Sequence, residues 1–313
     1  MQDVPRPRPA GRGKDGDALS EQTGGEDTMT DRPHTTVRTG SLKVPGATLH
    51  HEVRGSGPLL LLMAGGSADA GLYESLAADL ADRWTVITYD PRCYSRSRLD
   101  APPADQRVTD HSDDALRLIE HIGSGGERAC VFGSSASAVV ALDLLSRHPE
   151  RLGTVVAHEP PVVEVLPDPE TGRALFAEVR AAFRRDGAKA AAAVMSAGIG
   201  EGASRPQDDG AASAPPPLTP ETLRRMRANL PVFLEHMLCP FTGYAPDTAA
   251  LEAAADRLVL AVGEESGEQL TARPVRALAQ RFGRKAAPFP GGHLGVVERP
   301  AEFAAALRAA FTG

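Results

Sequence analysis

The chain is short of cysteine, of long apolar runs and of charge blocks, and each shortage removes a class of protein. Only Cys93, Cys130 and Cys239 occur in 313 residues, with no C-x-x-C pair. That spacing suits neither a zinc knuckle nor a disulfide framework, so reduced thiols, a cytoplasmic location and no metal are expected. The formal charge of −7 is modest and no basic block interrupts the body. Neither nucleic acid nor a membrane surface is therefore an expected partner. No stretch approaches the length needed to span a bilayer. The first 35 residues lack the apolar segment of a secretory signal. Their Pro, Gly, Asp, Glu, Arg and Thr content predicts a disordered tail over residues 1–35. Within it, Gly11-Arg12-Gly13-Lys14-Asp15-Gly16 matches G-x-G-x-x-G, but no strand precedes it and no helix follows, so the match reads as coincidence. Met29 is a candidate natural start.

What is present begins at Thr36. Val37 to Val44 and Ala47 to Val53 read as strands joined by a Pro45-Gly46 turn. Pro58 to Met63 is an uninterrupted apolar run, the mark of a strand buried on both faces. A helix over Ala70–Ala81, a strand over Trp84–Tyr89 and a helix over Asp110–Ile122 follow. Then come a strand and helix around Ser135 and a strand over Thr154–His158. Glu159-Pro160-Pro161 cannot continue in mid-sheet, and residues 161–251 read as an insertion. One helix is expected over Arg173–Met195, a Gly/Pro-rich mobile stretch over 201–218, and a second helix capped by Thr219 with Pro220 in its first turn. Regular order resumes with a strand over Arg257–Val262, a helix over Pro274–Phe282, a short strand at Ala287–Phe289 and a last helix from Ala301. There Phe303, Leu307 and Phe311 would pack on the sheet. Strands alternating with helices predict a mostly parallel sheet covered on both faces.

The centre of this pattern is Ala129-Cys130-Val131-Phe132-Gly133-Ser134-Ser135-Ala136-Ser137. A serine on a sharp strand-to-helix turn is exposed at the carboxyl edge of a sheet, beside the helix's first N–H groups. In the frame G-x-S-x-G the serine is Ser135, with Ser137 in place of the last glycine. Gly133 permits the turn because a side chain there would clash. From about residue 36 to the end the sequence resembles the α/β-hydrolase superfamily. That resemblance implies an eight-stranded, mostly parallel sheet, a core over 36–160 and 252–313, and a helical cap at 161–251 after the sixth strand. It also implies that His293, in Pro290-Gly291-Gly292-His293-Leu294-Gly295 after the last strand, is the base. His50, His51, His111, His121 and His148 are expected at the surface.

The acid that orients the imidazole is less clearly marked. Gly263-Glu264-Glu265-Ser266 carries serine where the family's G-x-x-D has Asp, leaving Glu265 as one candidate. Glu159, directly after the sixth strand, is the preferred one. Two donors are expected for the oxyanion, the N–H groups of Ala136 and, by alignment of Ala64-Gly65 with the family's His-Gly pair, of Gly66. Asp90-Pro91-Arg92-Cys93-Tyr94-Ser95-Arg96-Ser97 resembles the family's D-x-R-G-x-G-x-S, with Cys93 and Ser95 replacing glycines. The arginine would pair with nearby acids.

Gly65, Cys93, Phe233, Met237 and Phe241 are expected to line the substrate pocket. Serine at position 135 excludes the aspartyl-nucleophile branch of the superfamily. The expected activity is cofactor-free hydrolysis of an ester or lactone of a medium-sized apolar small molecule through an acyl-enzyme, by a monomer or homodimer. A lyase or cyclase with His293 as general base, or a silent small-molecule binder, remains open. The Ala- and Arg-rich composition resembles actinobacterial hydrolases, several of which tailor secondary metabolites.

Overall fold

The computed structural model describes residues 36–200 and 218–312. The tail expected over 1–35 and the mobile stretch expected over 201–218, Leu218 apart, lie outside these residues. The apolar run forms β3 (Leu59–Met63), with all five side chains buried. Because neighbouring strand residues point to opposite faces, Leu59, Leu61 and Met63 enter one apolar cluster, and Leu60 and Leu62 enter the other.

β1 (Arg38–Val44) and β2 (Ala47–Arg54) form an antiparallel hairpin. Next come α1 (Glu74–Leu80), β4 (Thr85–Tyr89), β5 (Arg98–Leu99), α2 (Val108–Ile122), β6 (Ala129–Ser134), α3 (Ala136–Arg147) and β7 (Leu152–His158). A helical segment follows, with α4 (Pro169–Asp186), α5 (Ala188–Ile199), α6 (Pro220–Val232), α7 (Leu238–Thr242) and α8 (Thr248–Ala253). The chain closes with β8 (Leu258–Gly263), α9 (Arg273–Arg281), β9 (Ala287–Phe289), α10 (Gly295–Glu298) and α11 (Pro300–Thr312). The sheet order is β1-β2-β4-β3-β6-β7-β8-β9. From β4 onward every neighbouring pair is parallel. Helices α2, α3 and α9 cover one face; α1 and α11 cover the other. On α11, Phe303 and Leu307 are fully buried, and Phe311 meets Trp84 edge-on.

Three expectations need correction. The eight strands of the main path are joined by a ninth, β5, which pairs only Arg98 and Leu99 with β2; two residues are too few to leave a periodic signature. The single helix expected over Arg173–Met195 is two, because Gly187 takes φ 82° and its N–H bonds to Phe183 O. His51 and His111 are buried, not superficial. His111 packs edge-on against Phe241, and burial pushes its imidazole pKa down to about 3.

Within the helical segment between β7 and β8, Pro231 supplies no amide hydrogen to α6 and the next turn, Phe233–Met237, widens to π geometry. Val163, Leu166, Phe176, Val179, Ala191, Ile199, Leu234 and Leu238 form an apolar cluster with Leu270 from beyond β8. Among the described residues, no helix is long and apolar enough to cross a membrane.

Candidate active site

Strand β6 ends at Ser134 and α3 begins at Ala136, so Ser135 alone makes the reversal, with φ 57° and ψ −125°. Its N–H is held by His158 O at 2.9 Å. A Cβ on Gly133 would lie 2.4 Å from Ser137 O, which is the physical reason for glycine there. Ser137 does more than stay small. Its hydroxyl donates to Met63 O at 2.5 Å and accepts from Ser134 N–H at 3.0 Å, tying the start of α3 to β3 and to the turn.

Four non-glycine residues among those described have positive φ: Cys93, Ser95, Ser135 and Glu159. All four follow parallel strands at their carboxyl ends, two after β4, one after β6 and one after β7. Such backbone costs about 1–3 kcal/mol per residue and persists where the surroundings over-determine it, which is typical of functional sites.

Glu159 is fully buried. Its Oε2 lies 2.7 Å from His293 Nδ1, and its Oε1 accepts from Gly263 N–H at 2.9 Å. Burial alone would raise the carboxyl pKa; the hydrogen bond and charge of His293 outweigh it and hold the pKa down at about 2. The carboxylate is thereby ionised, fixes the imidazole rotation and leaves Nε2 free to exchange a proton. Glu265 is elsewhere, half-exposed and paired with Arg299 at 2.6 Å. A second imidazole, His158, lies beside His293 with its ring inclined by 23° at a centroid separation of 6.4 Å. Its Nδ1 meets Ser134 Oγ at 3.0 Å, and burial pushes its pKa down to about 4, so it stays neutral.

The N–H of Ala136, first in α3, has no acceptor within its helix. Gly66 stands in the loop after β3, with φ 59°. That loop abuts the turn so closely that a Cβ on Gly65 would lie 2.2 Å from Ser134 O and 3.1 Å from Ser135 Cβ.

Ser135, Ala136 and His293 line one cavity of about 100 Å³ with Pro161, Phe176, Met195, Ile199, Phe233, Leu238, Phe241, Thr242 and Thr271. Among the described residues no hydrogen bond joins Ser135 Oγ to the imidazole; such contacts are often loose without substrate and tighten when it binds. Phe233 and Phe241 thus stand at the cavity. Gly65 backs the turn outside the lining, Met237 is packed into the core, and the half-buried Cys93 thiol, pushed up to about 12 by burial, is not a lining group. Arg92 grips Asp114 with two bonds of 2.7 Å.

The expected pocket residues did not include Pro161, Phe176, Met195, Ile199, Leu238, Thr242 and Thr271. Met195 and Ile199, four apart on α5, had the signal of a common helical face. Phe176 had none, since its partners are distant in sequence. Among the described residues no cluster of three or more His, Cys, Asp or Glu could hold a metal ion.

Known proteins agree with this architecture. The model of the alpha/beta hydrolase family matches residues 59–306. The uncharacterized hydrolase YraK of Bacillus subtilis (strain 168) is 34% identical over 278 residues, 87% of this chain and 95% of YraK. Among solved structures, a thermophilic esterase from Thermogutta terrifontis superposes with a TM-score of 0.67 at 20% identity, covering 88% of this chain and 100% of the esterase. The enol-lactonase from Burkholderia xenovorans LB400 gives a TM-score of 0.62 at 18% identity, over 88% of this chain and 100% of the lactonase. With its family model matched across most of the chain and a relative aligned over nearly its whole length, this chain belongs to the alpha/beta hydrolase family.

Proposed function

We propose that the chain is a serine hydrolase that cleaves a carboxylic ester or lactone through an acyl-enzyme on Ser135. The observation that carries this reading is the Glu159–His293 hydrogen bond of 2.7 Å, made at the edge of a cavity that Ser135 also lines. His293 Nε2 takes the hydroxyl proton as Ser135 Oγ attacks the carbonyl carbon. The negative charge moves to the carbonyl oxygen, where the N–H groups of Gly66 and Ala136 receive it. Collapse breaks the bond to the alkoxy oxygen, which leaves with the proton from His293. A water molecule then repeats the sequence on the acyl-enzyme, giving the acid and free Ser135. Glu159 keeps the ring in one tautomer and stabilises its transient positive charge.

The cavity is smaller than the roughly 300–1,000 Å³ of pockets that enclose drug-sized ligands. Apart from His293 its walls carry no ionisable side chain. We therefore assign to it a short, neutral, apolar acyl group, with the insertion acting as a cap. The esterase and enol-lactonase activities named for the two structural neighbours are of the same kind.

The test is a fluorophosphonate probe and p-nitrophenyl acetate, applied to the wild type, Ser135→Ala and His293→Ala. Labelling confined to Ser135, with turnover lost in both variants, is expected. Turnover that survives Ser135→Ala defeats the reading, and labelling without ester turnover favours the lyase.

A further inference from the structure

The insertion reaches the loop that carries Gly66 through two side chains of α6, Asn229 and Arg225. Asn229, on α6, is 3% exposed. Its Nδ2 donates to Ser67 O at 3.0 Å and to Ser95 Oγ at 2.9 Å, while its Oδ1 accepts from Ser95 N–H at 2.9 Å. These partners fix the amide orientation, since a carbonyl can only accept and a backbone N–H can only donate. One residue before Ser67, the carbonyl of Gly66 accepts from Tyr94 Oη at 3.0 Å. Two residues after it, the fully buried Asp69 accepts from Arg225 of the same α6 at 2.5 Å and from Ser95 Oγ at 2.7 Å. The segment from Gly66 to Asp69 is thus held on one side by α6 and on the other by Tyr94 and Ser95.

Ser95 explains itself in this frame. It stands where the related pattern has glycine and takes φ 52°, a conformation that costs a serine roughly 1–2 kcal/mol. In exchange its N–H meets Asn229 and its hydroxyl bridges Asn229 and Asp69. A glycine would adopt that backbone freely and lose the bridge.

We propose that Asn229 is a positioning residue for the oxyanion loop: by clamping Ser67 O against Ser95 it sets where the Gly66 N–H points, so the donor is preorganised only while α6 of the insertion is seated. This rests on the serine-hydrolase reading above. Asn229 touches no reacting atom; it acts through the Ser67 carbonyl and the loop backbone. Its contribution belongs to the transition state, when the oxyanion forms, and not to the binding of the neutral ester.

The test compares the wild type, Asn229→Ala, Asn229→Asp and Ser95→Gly, with Arg184→Ala as a control. Arg184 pairs with Glu235 on the exposed side of the insertion, so its removal loosens that segment away from the loop. Two quantities are read: kcat and KM for p-nitrophenyl acetate, and amide hydrogen exchange of a peptide spanning residues 64–72. Asn229→Ala and Asn229→Asp should each lower kcat about tenfold to a hundredfold, part of the loss seen when an oxyanion donor is removed, while KM changes less than about twofold. Asn229→Asp, nearly the same shape, is the sharper variant because it sets an oxygen against Ser67 O. Exchange in the 64–72 peptide should rise in both, and Ser95→Gly should follow in the same direction with a smaller effect. Arg184→Ala should match the wild type in both readouts. Unchanged exchange overturns the proposal whatever the kinetics, and so does raised exchange with kcat intact or with a loss carried wholly by KM. Turnover that survives Ser135→Ala is a separate result: it removes the parent reading and the catalytic role of the clamp with it, while the exchange data still report whether Asn229 holds the loop.

Discussion

Glu159 and His293 are 134 residues apart in sequence and 2.7 Å apart in space. Every carboxylate oxygen of the pair is used, one on the imidazole and one on the N–H of Gly263. Glu159→Gln keeps the shape but favours the wrong tautomer of the ring, so kcat should fall about a thousandfold or more. Glu265→Gln, which removes only a half-exposed pair with Arg299, should retain wild-type turnover. Steady-state kinetics on one ester decides the matter, and the reverse pattern would transfer the acid's role to Glu265.

Gly65 has no room for a side chain beside Ser134 O. Gly65→Ala must push the loop after β3 or the serine turn out of place. A shift near 1 Å in such a site costs about a hundredfold in rate. We expect kcat for p-nitrophenyl acetate to drop by that factor, with a loss of about 1–3 kcal/mol in stability, and full activity in the variant would contradict the close packing of loop and turn.

Acid should lower the protein's stability progressively, through its buried imidazoles. Burial lowers His111 from 6.5 to about 3 and His158 from 6.5 to about 4. The unfolded chain therefore binds more protons than the folded one below pH 6.5, and stability falls as pH falls. The contribution is complete above about 6.5 and is lost progressively as pH drops through 4 and then 3. Glu159, held near 2, adds a second loss that begins only in the ordinary carboxylate range. Urea midpoints measured from pH 8 to 4 should decline below 6.5, and His111→Phe should flatten that decline.

Arg92 and Asp114 bond through two contacts of 2.7 Å in the interior. Burial raises the Asp114 carboxyl pKa despite its partner, so the attraction does not fully offset the desolvation of the carboxylate. Removing one member is worse than having both, because it strands a buried charge. Asp114→Ala should cost about 3–5 kcal/mol in chemical denaturation; a cost below 1 kcal/mol would show that Arg92 reaches solvent once freed.

The small neutral cavity implies a length limit. Among p-nitrophenyl esters, kcat/KM should be highest for acetate or butyrate and fall by at least about tenfold by the decanoate. A charged acyl chain, as in a succinate monoester, should be poorer than its neutral isostere, because the lining offers no cation. An optimum at long chains would require a binding surface outside this cavity.

Sequence legibility followed the range over which each feature is encoded. The run Leu59–Met63 and the Gly133-Ser134-Ser135 turn are local, and their strand and reversal are where the pattern placed them. The alternation of strands and helices likewise carried the sheet's architecture. His111 was misread because a lone histidine on an amphipathic helix has no local mark of burial; Phe241, which covers it, is 130 residues downstream. The break at Gly187 was missed for a different reason: glycine is tolerated inside helices, and only its positive φ reveals the stop. The Asn229 clamp was invisible, since an asparagine on a helix becomes informative only when Ser67 and Ser95 are known to meet it.

The order in which the site's parts leave the ribosome has a consequence for truncated chains. Glu159 is made before helices α4–α8, while both groups that satisfy its buried oxygens, the Gly263 amide and the His293 ring, are made after them. A nonsense mutation between β7 and β8 would yield a polypeptide with a carboxylate committed to the interior and nothing there to meet it. Such a product should be cleared by proteolysis rather than persist as an inactive competitor for substrate.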